Sequence, residues 1–141
     1  MKTLLYSIFI LAGLAGCSVN PTAHFSEAKT KEVLDHHWVA FKENDLEAVM
    51  ADYTEESILI TPDATYQGLE AIRENFVQAF KAFPKDQQPL QLNKTVVVKD
   101  VGYILWQAKT TTMELTFATD TFLIQDGKII RQTYGGVNRT L

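Results

Sequence analysis

The two side chains best placed for acid–base chemistry are a histidine and an aspartate, each set in an apolar stretch. His37 lies within the apolar stripe of a predicted amphipathic helix. Asp120 lies in a strand rich in threonine and phenylalanine, where an unpaired carboxylate is costly. If both face one pocket, the carboxylate could orient the imidazole, and His37 could move a proton on an enolisable or cyclising substrate. The same pattern also fits a buried histidine that pairs with Asp120 or a tyrosine hydroxyl and only stabilises the core.

Other kinds of chemistry find little support in the sequence. His36 and His37 are adjacent, and a helix directs neighbouring side chains about 100° apart, which is unsuited to holding one metal ion. Asp52 and the pair Glu55-Glu56 form an acidic cluster at a helix end, which we interpret as a solvated face. The sequence contains no glycine-rich phosphate loop and no nucleophile elbow. We therefore expect neither a metal nor a cofactor.

The composition is that of one acidic domain with an apolar core. The chain has 141 residues, of which 46% are hydrophobic and 21% charged, and this length and apolar content suit a single domain. Thirteen lysines and arginines against seventeen aspartates and glutamates give a net charge of -4, which argues against a nucleic-acid partner. A single cysteine, Cys17, excludes an internal disulfide.

The N-terminal segment has the residue order of a secretory signal. Lys2 supplies one positive charge, and an apolar run too short to span a bilayer follows it. Leu14 to Cys17 resemble the bacterial lipobox, in which a peptidase cuts before a cysteine that is then acylated. We expect residues 1–16 to be a lipoprotein signal peptide and residues 17–25 a lipid-anchored tether.

The predicted anchor also sets an expected location. A lipid on Cys17 would attach the protein to a membrane of the bacterial cell envelope, facing the periplasm. Ser18, rather than an aspartate, follows the cysteine, which the lipobox resemblance associates with the outer membrane. Residues 26–141 would form the domain held there.

Hydrophobic periodicity in this domain changes from helical to strand-like near its middle. Apolar residues at helical spacing predict one helix after Ser26, a short second helix after Asp45 and a third helix that Pro84 ends, with a small hairpin before the third. Runs rich in valine, isoleucine and threonine then predict four strands, over residues 90–99, 103–111, 114–124 and 128–137. This order indicates an α+β fold with helices packed on one face of a curved antiparallel sheet.

Turn residues mark the end of the sheet. Asp126-Gly127 lies between two alternating runs and predicts a tight hairpin, because both turn positions need a positive φ. Gly135-Gly136 is interpreted as a bend after the last strand.

Several stretches together resemble the nuclear-transport-factor-2-like superfamily, and within it the SnoaL-like and ketosteroid-isomerase-like group. The resemblance extends from Lys31 to Val137. It is carried by Asn44 to Met50, Ile58 to Pro62, Gly68 to Arg73, Ala118 to Phe122 and Asp126 to Ile129. It implies that the sheet curves into a cone, with the three N-terminal helices packed on its concave face around a largely apolar pocket open at one end.

Strand alternation within this implied cone predicts which side chains line the pocket. If Asp120 points inward, the strands would also contribute Phe122, Ile124, Trp106, Ala108, Ile130, Gln132 and Tyr134. The helices and the small hairpin would contribute His37, Trp38, Phe41, Tyr53, Thr61, Tyr66, Phe76 and Phe80. Such a lining suits a small apolar or amphipathic molecule, although aromatic residues of this kind are also ordinary core.

The resemblance to the isomerase members is incomplete at the residues that carry out catalysis in those members. In those members a carboxylate just before a proline in the first strand moves the proton, and here Thr61 precedes Pro62. A threonine cannot act as a general base near neutral pH. The first-helix tyrosine position falls on His37, whereas the sheet aspartic acid is retained as Asp120. Steroid-type isomerisation is therefore disfavoured.

Three functions from different classes remain open. The first expectation is an envelope lipoprotein whose cone binds a small apolar or amphipathic molecule without converting it. The second is an isomerase- or cyclase-type enzyme in which His37 and Asp120 are catalytic. The third is a non-catalytic scaffold or accessory module, with a homodimer formed through the outer face of the sheet as the expected assembly. An open cavity would favour the first two, and a cavity filled by its aromatic side chains the third.

Overall fold

Residues 26–87 and 90–141 are described by a computed structural model. The predicted signal peptide, the tether and Cys17 lie outside the described residues. The helices are α1 (Glu27–Lys42), α2 (Leu46–Ala51) and α3 (Gly68–Ala82), with strands β1 (Ile58–Ile60) and β2 (Thr65–Gln67) between α2 and α3. A short 3-10 helix (Lys85–Gln87) is followed by the long strands β3 (Leu90–Val98), β4 (Val101–Lys109), β5 (Met113–Gln125) and β6 (Lys128–Thr140).

The strands form one six-stranded sheet in the order β2-β1-β6-β5-β4-β3. Neighbouring strands are antiparallel except for β1 and β6, which run parallel. The chain reaches β6 only after it has passed through β3, β4 and β5 from the far edge of the sheet. The predicted α+β fold, with a curved sheet and helices on its concave face, is confirmed. Among the described residues, none of the helices is long and apolar enough to cross a membrane.

Local signals in the sequence account for the starts of α1 and α2 and for the last turn. The Ser26 side chain accepts a hydrogen bond from the Lys29 amide, and Asp45 accepts one from Ala48, so each caps a helix. Asp126 and Gly127 have φ values of 50° and 74°, which confirms the predicted tight hairpin between β5 and β6.

The core lies between the helices and the concave face of the sheet. α1 packs across β3, β4 and β5, and α3 packs on α2, β1 and β2. The largest fully buried apolar side chains come from both layers: Leu34, Val49, Leu59, Ile72, Phe122 and Ile129. Along β5, Ala118, Asp120, Phe122 and Ile124 are all buried, so this strand alternates as predicted.

A β-bulge changes which side chain of β6 faces the core. Leu123 pairs with Arg131 and Ile124 pairs with Ile129, so Ile130 is the unpaired residue. Ile129 is fully buried, whereas Ile130 is only half-buried and does not line the cavity described below. The prediction for Ile130 was wrong because strict alternation holds only where no extra residue is inserted.

The two neighbouring glycines lie inside β6, which continues to Thr140, so their interpretation as an exit bend was also wrong. A Cβ at Gly136 would lie 2.7 Å from the hydroxyl oxygen of Tyr134 and 3.2 Å from the backbone oxygen of Phe117. A Cβ at Gly135 would meet nothing within 4 Å. The absence of a side chain at Gly136 therefore makes room for the Tyr134 hydroxyl.

Candidate ligand-binding site

A cavity of about 210 Å³ lies between the helices and the concave face of the sheet. Eleven of the predicted side chains line it: His37, Trp38, Phe41, Thr61, Tyr66, Phe76, Trp106, Asp120, Phe122, Gln132 and Tyr134. Tyr53, Phe80, Ala108 and Ile124 do not line the cavity, and Ala108 and Ile124 are buried in the core beside it. Tyr53 is buried behind His37, and Phe80 packs against the rings of Phe41 and Phe76.

Five further residues complete the wall: Leu59, Asp63, Asn75, Ala79 and Ile104. Ile104 could have been found from the sequence, because it lies two residues before Trp106 on the same face of β4. Ala79 lies one turn after Phe76 on α3. Asp63 belongs to the turn between β1 and β2, and no periodicity indicates where a turn residue points.

Asp120 is held by one neutral donor on each carboxylate oxygen. The indole Nε1 of Trp106 on β4 donates to Oδ2 at 2.8 Å, and the amide Nε2 of Gln132 on β6 donates to Oδ1 at 2.8 Å. The sheet register creates this arrangement, since Asp120 pairs with Ile104 and Tyr134, and the two donors are diagonal neighbours on the same face. Only 5% of Asp120 is exposed.

Burial raises the pKa of the Asp120 carboxyl above its ordinary value. The hydrogen bonds from Gln132 and Trp106 and the nearby charge of His37 act in the opposite direction, because they stabilise the ionised form. Trp106 can only donate a hydrogen bond, so Asp120 accepts from it. The pattern of donors thus fits a carboxylate that accepts hydrogen bonds.

His37 pairs with Asp52 and not with Asp120. Its Nδ1 lies 3.2 Å from Oδ2 of Asp52, while Nδ1 of the neighbouring His36 lies 2.8 Å from Oδ1. Asp52 is 6% exposed, and its backbone oxygen accepts a hydrogen bond from the Ile129 amide at 2.8 Å. The interpretation of Asp52 as part of a solvated face was wrong, because α2 ends against the sheet and turns this carboxylate toward α1.

Tyr53 connects the histidine to the aspartate of the sheet. Its hydroxyl lies 3.5 Å from Nε2 of His37 and donates a hydrogen bond to Oε1 of Gln132. Burial, with the charges of Asp120 and Asp52, raises the pKa of the Tyr53 hydroxyl well above its ordinary value, so the group remains a donor. A polar chain therefore runs from Asp52 through His37, Tyr53 and Gln132 to Asp120, and three of its members, His37, Gln132 and Asp120, line the cavity.

Thr61, the residue at the base position of the isomerase members, takes part in a turn. Its hydroxyl donates to the backbone oxygen of Ala64 at 3.2 Å and accepts from the Ala64 amide at 3.1 Å. These bonds hold the turn between β1 and β2 in place. Within the described ranges, no three His, Cys, Asp or Glu side chains are grouped in a way that could hold a metal ion.

Comparison with known proteins assigns the family. Residues 34–132 match the SnoaL-like domain, and the chain therefore belongs to the SnoaL-like domain family. A comparison with curated proteins found no match.

Solved structures share the fold at low sequence identity. One is a proposed ketosteroid isomerase from Kribbella flavida, with a TM-score of 0.68, 13% identity and coverage of 82% of each chain. Another is a proposed polyketide cyclase from Sinorhizobium meliloti, with a TM-score of 0.64, 20% identity and coverage of 79% of this chain and 100% of that one. A designed protein with a curved β-sheet also matches, with a TM-score of 0.68, 14% identity and coverage of 79% and 88%. At these identities the likeness concerns the fold alone.

Proposed function

We propose that the cavity binds a small, largely apolar molecule that carries a hydrogen-bonding group. The observation that carries this proposal is the cavity itself, whose aromatic walls surround a few polar groups from different strands. Trp106 and Phe76 stand in its walls and do not fill it, which argues against the scaffold alternative. Because about 210 Å³ is less than the roughly 300–1,000 Å³ of sites for drug-sized molecules, the ligand should be small.

Intrinsic fluorescence can test this proposal directly. The chain has two tryptophans, Trp38 and Trp106, and both line the cavity, so an occupant should alter their emission. We expect saturable changes with single-ring neutral probes such as cresol and phenethyl alcohol, and an apolar metabolite that stays bound in native mass spectrometry.

A cavity-filling variant provides the matched control. Ala79 lines the cavity on α3, whereas Ala82 on the same helix is exposed. We expect Ala79→Leu to weaken probe binding at least about tenfold and Ala82→Leu to leave it unchanged. Saturable binding that survives in Ala79→Leu would place the binding site elsewhere and contradict the proposal.

A second candidate function is proton transfer with Asp120 as the base. The observation that favours it is a buried carboxylate in the wall of a largely apolar cavity that His37, oriented by Asp52, also lines, and burial raises the pKa of this carboxyl. Two proteins of this fold are described as a proposed isomerase and a proposed cyclase.

Proton exchange can test the second candidate without a known substrate. We expect the protein to catalyse exchange of the α-protons of cyclohexenone in deuterated water, followed by NMR, and Asp120→Asn to abolish this exchange. The rate should rise with pH through the pKa of Asp120, because only the ionised form accepts a proton. Exchange at an unchanged rate in Asp120→Asn would exclude this role.

We also propose that the domain is carried on a bacterial envelope by a lipid on Cys17. The support is the order of the N-terminal residues, from Lys2 through the apolar run to Leu14, Ala15, Gly16 and Cys17. In a bacterial host, the protein should fractionate with outer membranes and carry an acylated N-terminal cysteine by mass spectrometry. Cys17→Ser should remove both properties, and membrane association that persists without acylation would contradict the anchor.

A further inference from the structure

The described residues that form the wall of the cavity include carboxylates and no permanent cation. Its charged members are Asp120 at the sheet and the exposed Asp63 in the β1–β2 turn, and none of the described lining residues is a lysine or arginine. His37 also lines the cavity, but any positive charge on its ring is matched by Asp52 behind it. An anionic ligand would therefore meet only repulsion, and a cation would meet attraction.

Asp120 is a buried carboxylate that no cationic group of the described residues contacts, although the charge of His37 lies nearby. Among residues 26–87 and 90–141, no lysine, arginine or histidine nitrogen lies within 4.0 Å of its oxygens. Its two hydrogen bonds come from neutral groups and occupy one position on each oxygen, while a carboxylate has about four acceptor positions. A buried charge is costly until it is paired, so a cation brought in by a ligand would supply what this site lacks.

The rest of the wall suits the same kind of ligand. Seven aromatic side chains line the cavity: Trp38, Phe41, Tyr66, Phe76, Trp106, Phe122 and Tyr134. The faces of aromatic rings attract ammonium groups, most strongly where water is excluded, and such rings also cover the apolar body of an organic cation.

We propose that the cavity selects a small protonated amine with an apolar body of about one ring, whose ammonium group donates to Asp120. This inference rests on the proposed function, that the cavity is a ligand site, and it adds the charge of the ligand. The amine would not need to displace an existing bond of Asp120, because Trp106 and Gln132, on the two neighbouring strands, each occupy only one acceptor position of the carboxylate.

Three probes of nearly equal size and different charge can test this selectivity: phenethylamine, phenethyl alcohol and phenylacetate. Binding to the purified full-length protein would be followed by calorimetry and by tryptophan fluorescence at neutral pH. We expect the amine to bind at least about tenfold more tightly than the alcohol and the carboxylate to bind most weakly. An amine that binds no better than the alcohol overturns the inference, while alcohol binding in the same experiment leaves the proposed function intact. If none of these three probes and none of the neutral probes above binds, both the inference about the amine and the proposed function are contradicted.

Two variants show which carboxylate is responsible. Asp120→Asn should abolish the preference for the amine over the alcohol, while Asp63→Asn should reduce it only slightly, because Asp63 is exposed. A preference that survives in Asp120→Asn and disappears in Asp63→Asn contradicts the assignment to Asp120. The wild-type ranking of the three probes stands as a test even if one variant folds poorly.

The pH dependence of binding gives a further test in the unaltered protein. The titratable groups around Asp120 are His37 from α1, Tyr53 after α2 and Tyr134 on β6. Burial raises the pKa of Asp120, and an ammonium group needs the ionised carboxylate. Amine affinity should therefore fall as the pH decreases from about 8 to about 4, where the amine itself stays protonated, and alcohol affinity should change little. Amine affinity that is constant over this range contradicts the pairing with Asp120.

Discussion

Two aspartates of this protein are buried to nearly the same extent and have opposite surroundings. Asp52 contacts Nδ1 atoms of both His36 and His37, so a histidine proton can offset its charge. Asp120 receives hydrogen bonds from an indole and an amide, neither of which carries a charge. The first aspartate orients a neighbour, and the second faces the cavity with no cationic group of the described residues in contact with its carboxylate.

Removing the Asp52 carboxylate should destabilise the fold. We expect Asp52→Asn to lower the free energy of unfolding by about 1–3 kcal/mol, because it weakens a buried charge-assisted bond to His37. Glu56→Gln is the matched control, since Glu56 follows in the same acidic stretch but is exposed, and it should change the stability by less than about 0.5 kcal/mol. Urea unfolding measures both. Equal effects would show that Asp52 is as solvated as its neighbour.

Asp120 should make the stability of the protein depend on pH in an unusual direction. Its folded-state pKa is raised above the ordinary 3.8, so the folded state binds more protons than the unfolded state between these two values. Stability from this group is therefore present at low pH and lost as the pH rises through the folded-state pKa. Relative to the wild type, Asp120→Asn should gain stability as the pH rises above 3.8, measured by urea unfolding at a series of pH values. A difference that does not change with pH would contradict the raised pKa.

At the scale of the elements, period-two alternation accounts for most of what the sequence could predict about the site. Alternation within each strand, combined with the cone that the family resemblance implies, places Trp106, Asp120 and Gln132 on one face of three adjacent strands, and the register confirms this. The pairing of His37 with Asp52 could not be predicted, because it depends on how α2 docks against α1 and the sheet. The position of Ile130 depends on a bulge, for which a single sequence gives no clear signal.

The adjacent glycines of β6, Gly135 and Gly136, should differ in their tolerance of a side chain. A methyl group at position 136 would meet the Tyr134 hydroxyl and the Phe117 carbonyl, whereas one at position 135 would meet nothing within 4 Å. We expect Gly136→Ala to cost about 1–3 kcal/mol of stability and to weaken probe binding, because Tyr134 must move within the cavity wall. Gly135→Ala should preserve both properties. Thermal unfolding and tryptophan fluorescence compare the two variants, and identical behaviour would contradict the close packing at Gly136.

At the scale of the whole molecule, the outer face of the sheet is unusually apolar. Register and exposure place Val96, Val98, Val101, Phe117 and Val137 on this face, and Phe117 pairs directly with Val137. Phe117 is 46% exposed and Val137 61% exposed. These groups form two sets at opposite ends of the outer face, one at the β3–β4 turn and one at Phe117 and Val137. Exposed apolar groups of this kind are typical of an interface, and we propose that two copies associate through this face.

The oligomeric state tests that proposal. We expect a dimer at micromolar concentration by analytical ultracentrifugation, and Phe117→Glu should convert it to a monomer while tryptophan fluorescence still reports probe binding. Val39 is the control, because it is 56% exposed but lies on α1, and Val39→Glu should leave the dimer intact. A wild-type protein that is monomeric under these conditions would exclude the homodimer.

Because Trp106, Asp120 and Gln132 contact one another diagonally across three strands, the site should tolerate insertions and deletions in some parts of the chain and not in others. Unless a new bulge absorbs it, one residue added or deleted inside β4, β5 or β6 would turn the following side chains to the other face and remove the carboxylate or its donors from the cavity. The 3-10 helix Lys85–Gln87 before β3 has no buried residue and carries none of these side chains, so additions there should be accepted at little cost. Insertions and fusions to this domain should therefore be placed before β3 and kept out of the last three strands.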